Sequence, residues 1–128
     1  MQPQSKPAAS FAHSSLDAYA IALEALVAGD RIARKLPRGY GPLRDQMARA
    51  LQSAFLQTCE GAARSGADRK ARLNGARAEA GEAAGALEAA AALGVADRAE
   101  VDSVIELLAR RAPRSPGSSA KNTTKHHT

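Results

Sequence analysis

"DQMARALQSAFLQTCEG", residues 45–61, decides the fold of this chain, because two patterns share it. Met47, Ala50, Leu51, Ala54, Thr58 and Gly61, with Leu43 just upstream, recur at helical spacing, as on the apolar face of an amphipathic helix. Beside them run Gln46, Arg49, Ser53, Gln57 and Glu60, at intervals of three, four, four and three residues. At about 100° per residue these five fall within an arc of roughly 80°, one continuous polar stripe.

The helix reads from about Leu43 to Arg64, and the chain on either side is organised around it. Upstream, "KLPRGYGPL" (35–43) clusters Pro37, Gly39, Gly41 and Pro42 and breaks the preceding element. That element carries Leu16, Tyr19, Ala20, Leu23, Leu26 and Val27 at helical spacing, behind a capping-box pattern at Ser14 and Asp17. Downstream, "RSGAD" (64–68) interrupts the chain, and Asp68 is placed to cap a third helix. The expected inner face of that helix is Leu73, Ala76, Ala80, Ala84, Leu87 and Ala91. Gly94 fits a helix C′ position, Asp97 and Glu100 form a second capping-box pattern, and Val101, Val104, Ile105 and Leu108 give a last apolar face.

No segment alternates with period two. Four amphipathic helices with short connections predict an all-α, antiparallel up-down-up-down four-helix bundle over 14–112. Residues 1–13 are rich in Pro, Ser, Gln and Ala and read as a disordered arm. Residues 113–128 read as a flexible basic tail.

Composition narrows the function classes. The chain has 128 residues, a formal charge of +5 and a pI near 9.9, which permits nucleic-acid or acidic partners without requiring them. Phe11, Tyr19, Tyr40 and Phe55 are its only aromatics, too few for a platform that stacks bases. Cys59 is the single cysteine, so an intramolecular disulfide and a four-cysteine zinc site are excluded. No apolar run suits a signal peptide or a membrane span, and the expectation is a cytoplasmic protein.

Catalytic chemistry has no candidate constellation. No Glu is followed three positions later by His, and His13, His126 and His127 all lie in the expected tails. There is no phosphate-binding glycine pattern and no partner for a cysteine nucleophile. The reading is a protein with no catalytic residues, no metal and no cofactor.

The central helix, "LRDQMARALQSAFLQTCEG" (43–61), resembles the signature helix of the four-helix-bundle proteins encoded in bacterial 23S rRNA intervening sequences. Leu43, Gln46, Arg49, Ala50, Ser53, Glu60 and Gly61 match that pattern in register, with Gln57 where the family usually has Asn. Ala76, Arg77 and Glu82 match its third helix, and Pro37 precedes the signature helix as a proline does in the family. Ala78 and Glu79 depart from its Gly-Ser. The wider group is similar to the accessory variability determinant of diversity-generating retroelements, a basic homopentamer that binds a reverse transcriptase and nucleic acid. The resemblance therefore implies a homo-oligomer, most simply a pentamer, with a nucleic-acid backbone and a reverse transcriptase as partners.

Three expectations about sites follow. The polar stripe reads as architectural, satisfied by crossed pairs such as Glu60 with Arg77 and Arg49 with Glu82. The alternative is an exposed stripe that binds a ligand. Phe55, Leu56 and Cys59 lie outside the apolar arc and suggest a subunit interface. Finally, the bundle topology gathers Arg31, Arg34, Lys35, Arg38, Arg44 and Arg98 at one end and Arg64, Arg69, Lys70, Arg72, Arg110, Arg111 and Arg114 at the other. Phosphate contacts are assigned to Arg38 and Arg44 at the first and to Arg64, Arg69, Lys70 and Arg72 at the second. The competing function is a protein-binding scaffold or regulatory bundle with no nucleic-acid role.

Overall fold

A computed structural model describes residues 5–110, with side chains described from Asp17 onward. These residues form four helices: α1 (Ser5–Lys35), α2 (Gly41–Ala62), α3 (Gly66–Ala92) and α4 (Arg98–Arg110). Each packs on two neighbours, α1 on α2 and α4, α3 on α2 and α4, with α2 against α3 the most extensive contact. This is the expected up-down-up-down bundle, and no strand occurs among the described residues.

The connections follow from local chemistry. Pro37 and Gly39 (φ +100°) turn the chain after α1, with the Tyr40 N–H donating to the Pro37 carbonyl at 3.2 Å. Pro42 sits in the first turn of α2, where the missing N–H would have had no intrahelical partner. At the end of α3, Gly94 (φ +77°) closes a Schellman motif: Val95 N–H donates to Ala90 and Gly94 N–H to Ala91, both at 3.0 Å. Asp97 caps α4, accepting from the Glu100 N–H at 3.0 Å. Glu100 does not return the bond, because its carboxylate takes Lys35 of α1 instead.

Three sequence expectations are corrected. Helix α1 begins at Ser5, so the 1–13 arm is helical over most of its length, His13 belongs to α1, and Ser14 lies inside the helix instead of at its start. Ala8, Ala9 and Ala12 favour helix, and Pro7 falls in the first turn, where it breaks no bond. Residues 1–4, and the 113–128 tail with His126 and His127, lie outside the described residues. Asp68 is inside the first turn of α3, and the extended residue before that helix is Ser65, whose side chain makes no capping bond.

The inner face of α1 is also not the expected one. Ala18, Ala22, Ala25, Gly29, Ile32, Ala33 and Leu36 are buried, while Tyr19, Leu23 and Val27 are exposed. Both faces of α1 carry apolar residues at helical spacing, so periodicity could not choose between them. Small side chains let helix axes approach closely, and Gly29 receives the Leu51 side chain of α2. In α3 the buried seam is Ala76, Ala80, Ala83, Leu87 and Ala90, spaced four, three, four and three as in a coiled-coil seam. Ala84, Ala91 and Leu73 are only half-buried. Met47, Leu51, Leu87, Val101 and Val104 are the large side chains sealed at the centre.

Candidate functional site

The polar stripe of α2 divides into a packed middle and exposed ends. Ser53 and Gln57 are half-buried on the flank facing α3, where Gln57 Nε2 donates to Ser53 Oγ at 3.4 Å. The Gln57 side-chain carbonyl lies so close to Gly75 that a β-carbon there would collide with it. Gln46, Arg49 and Glu60 are exposed, as are Arg77 and Glu82 across the groove.

The expected crossed pairs do not form. Glu60 pairs with Arg72 at 3.3 Å, and Arg77 donates to Asn74 within α3 at 3.1 Å. Among the described residues Arg49 and Glu82 make no ion pair. The hairpin register explains this. Gln57 meets Gly75 and Gly61 meets Leu73, which sets Glu60 opposite Arg72 and leaves Arg77 more than a turn beyond. Arg49 and Glu82 share a level, but Arg49 is rotated outward. The side chains of Arg72 and Glu60 are 42% and 48% exposed, so their pair contributes under about 1 kcal/mol.

The cations are paired differently at the two ends. At the α1–α2 end, Arg34 pairs with Asp30 at 2.7 Å and Lys35 with Glu100 at 3.1 Å. Arg98 grips Glu88 through both nitrogens, at 2.9 and 2.7 Å, and also reaches Asp102 at 3.0 Å. The Arg98 hydrogen bonds hold the Glu88 carboxyl below the ordinary glutamate range, and the same contacts push the Arg98 guanidinium up. The cations here, Arg31, Arg34, Lys35, Arg38, Arg44 and Arg98, are matched in number by Asp30, Asp45, Glu88, Asp97, Glu100 and Asp102. The expected basic patch at Arg38 and Arg44 therefore stands in a neutral end.

The α2–α3 turn itself keeps an excess of cations. Arg64 reaches Asp68 at 3.5 Å, and Arg72 is shared between Glu60 at 3.3 Å and Asp68 at 4.0 Å. Arg69 and Lys70 have no ion pair among the described residues; Arg110, expected at this end, closes a helix of 13 residues and falls short of it. One guanidinium nitrogen of Arg64, Nη1, is buried without a hydrogen-bond partner among the described residues. Four cations on the turn thus face two acids. Arg111 and Arg114 lie outside the described residues.

A third feature is apolar. Tyr19, Leu23 and Val27 of α1 are 45%, 37% and 44% exposed, and Leu56 of α2 is 56% exposed. Phe55 is half-buried against Tyr19, ring centroids 5.7 Å apart and planes tilted by 50°. The expected interface at Phe55, Leu56 and Cys59 is thus one edge of a wider surface. Its α1 part is invisible to helical spacing alone, which assigns Tyr19, Leu23 and Val27 to the core. The alanines on the opposite side of α1 are the signal that could have found it. Cys59 is half-buried; burial, then the Glu60 charge, pushes its thiol up and keeps it protonated at neutral pH.

Among the described residues no group of three or more His, Cys, Asp or Glu side chains is placed to hold a metal ion. None of the described helices is long and apolar enough to cross a membrane. No protein-family model matches the chain, and no curated protein is significantly similar to it.

Proposed function

We propose that this chain is a non-enzymatic, self-associating helical bundle that binds nucleic-acid backbones as an accessory protein. The observation that carries the reading is the excess positive charge on the α2–α3 turn, where Arg64 and Arg72 share Glu60 and Asp68 while Arg69 and Lys70 make no ion pair among the described residues. Such a patch attracts phosphates independently of sequence and weakens steeply with salt. The motif residues of α2 and α3 support the same reading through their resemblance to the intervening-sequence proteins. By that resemblance the assembly is a pentamer and the protein partner a reverse transcriptase of a diversity-generating retroelement. Repetition of the turn around an oligomer strengthens weak single contacts by presenting several at once.

The test is a fluorescence-anisotropy titration against structured RNA and duplex DNA at two salt concentrations. A variant carrying Arg69→Ala, Lys70→Ala and Arg72→Ala is expected to bind several-fold more weakly, and one carrying Arg38→Ala and Arg44→Ala to bind as the parent does. The exposed Tyr19, Leu23, Val27 and Leu56 surface favours a second reading, a scaffold that binds only protein. Absence of binding at low salt would select it.

A further inference from the structure

The apolar flank of α1 has a complement elsewhere on the same molecule. On the outside of α3, Ala78, Gly81 and Gly85 form an exposed face, and a β-carbon on either glycine would meet nothing within 4 Å. Glycine weakens an exposed helix interior relative to alanine. Nothing in the packing of the described residues requires these two.

We infer that Tyr19, Leu23 and Val27 of one copy seat against Ala78, Gly81 and Gly85 of a second copy, both copies pointing the same way. This rests on the self-association proposed above and names the two faces that meet. Heights along the bundle agree. Val27, Leu23 and Tyr19 lie eight, twelve and sixteen residues before the end of α1, and Gly85, Gly81 and Ala78 lie seven, eleven and fourteen before the end of α3. Helices α1 and α3 run in the same direction and end at the same side of the bundle. At about 1.5 Å per residue, each large side chain is within roughly 3 Å of the level of a small one.

The bordering charges are also complementary. With the two faces apposed, Arg31 stands beside Glu88 of the next copy, each four residues before its helix end. On the same flank Glu24 stands nearest Arg77. On the opposite flank Arg49 of α2 stands beside Glu82, two charges that make no ion pair among the described residues. Helical rotation at about 100° per residue puts each pair on the matching side. Because the two faces differ, the contact is head-to-tail, and it closes into a ring when the rotation permits. Every basic α2–α3 turn then lines one rim and every neutral end the other.

Cysteine cross-linking tests the contact. In a Cys59→Ala background, Leu23→Cys together with Gly81→Cys is expected to give covalent dimers and higher species under a mild oxidant. Either cysteine alone is expected to give none. Leu23→Cys alone forming dimers would mean that α1 meets α1, and the inference would fall. It would fall equally if the parent assembles but the double variant does not cross-link. A parent that is monomeric by light scattering would instead remove the self-association itself. As a second measurement, Gly81→Gln with Gly85→Gln should keep the helical circular dichroism, since both sites are open, while reducing the mass to a monomer. Unchanged assembly in that variant overturns the α3 seat.

Discussion

Leu51 of α2 rests directly on the backbone of Gly29 of α1: a β-carbon at position 29 would lie 2.7 and 2.8 Å from its two terminal methyl carbons. Leu51 is 2% exposed and held in the core, so it has nowhere to retreat. This contact fixes which face of α1 turns inward and so leaves the larger side chains of that helix outside.

Gly29→Ala is therefore expected to destabilise the fold by about 1–3 kcal/mol, the usual cost of overpacking. Gly81→Ala is expected to do the opposite, adding up to about 1 kcal/mol, because its site is open and alanine is the better helix former. Thermal or urea unfolding of the two variants checks the pair of signs. A neutral Gly29→Ala would mean that α1 and α2 are less closely seated than described.

Arg49→Ala is expected to leave the unfolding free energy of the subunit within about 0.5 kcal/mol, the usual range for an exposed position. A buried paired arginine would instead cost about 3–5 kcal/mol. A loss of that size in urea melts would restore the architectural reading of the whole stripe.

Salt dependence separates the two ends in nucleic-acid binding. Neutralising Arg69 or Lys70, each taken to meet one phosphate, is expected to lower the slope of log affinity against log salt by about 1. Neutralising Arg38 is expected to leave the slope unchanged, since its end is balanced by acids. Titrations across several salt concentrations read this directly. A slope that falls with Arg38 and not with Lys70 would mean that phosphates bind at the opposite end of the bundle.

Glu88 should titrate below an ordinary glutamate, because the charged carboxylate receives hydrogen bonds from Arg98. Its folded value is lower than its unfolded one, so the stability it contributes is present above the unfolded value and lost as pH falls through the folded value. Carboxyl chemical shifts followed by NMR from neutral to acid pH should show the lowered midpoint. Arg98→Ala should return it to the ordinary range. A midpoint indifferent to that substitution would mean that the ion pair does not persist in solution.

Much of the bundle is written in local signals. The breaks at Pro37–Gly39 and at Gly94, the cap at Asp97 and the inner face of α2 all depend on residues near in sequence, and their chemistry acts over one or two turns. The partners of the stripe are not legible in the same way. Choosing Arg72 over Arg77 for Glu60 needs the hairpin register, which is set where Gly61 and Gly75 let Leu73 and Gln57 approach. The basic ends are visible as charges in the sequence. Their compensation is not, because Lys35 finds Glu100 across 65 residues of chain and Arg98 finds Glu88 across a turn.

By itself, then, the sequence determined four helices, their order, their antiparallel arrangement and the polar stripe, since each follows from spacing and short-range capping. Only the tertiary structure decided which face of α1 is inside, which cations find acids, and that Arg49 and Glu82 are exposed without an ion pair among the described residues. The physical reason is that α1 carries small apolar residues on one face and larger ones on another, while α3 is dominated by small residues around much of its circumference. With apolar residues at helical spacing on more than one face, the choice falls to closest approach, and closest approach depends on what the neighbouring helix presents.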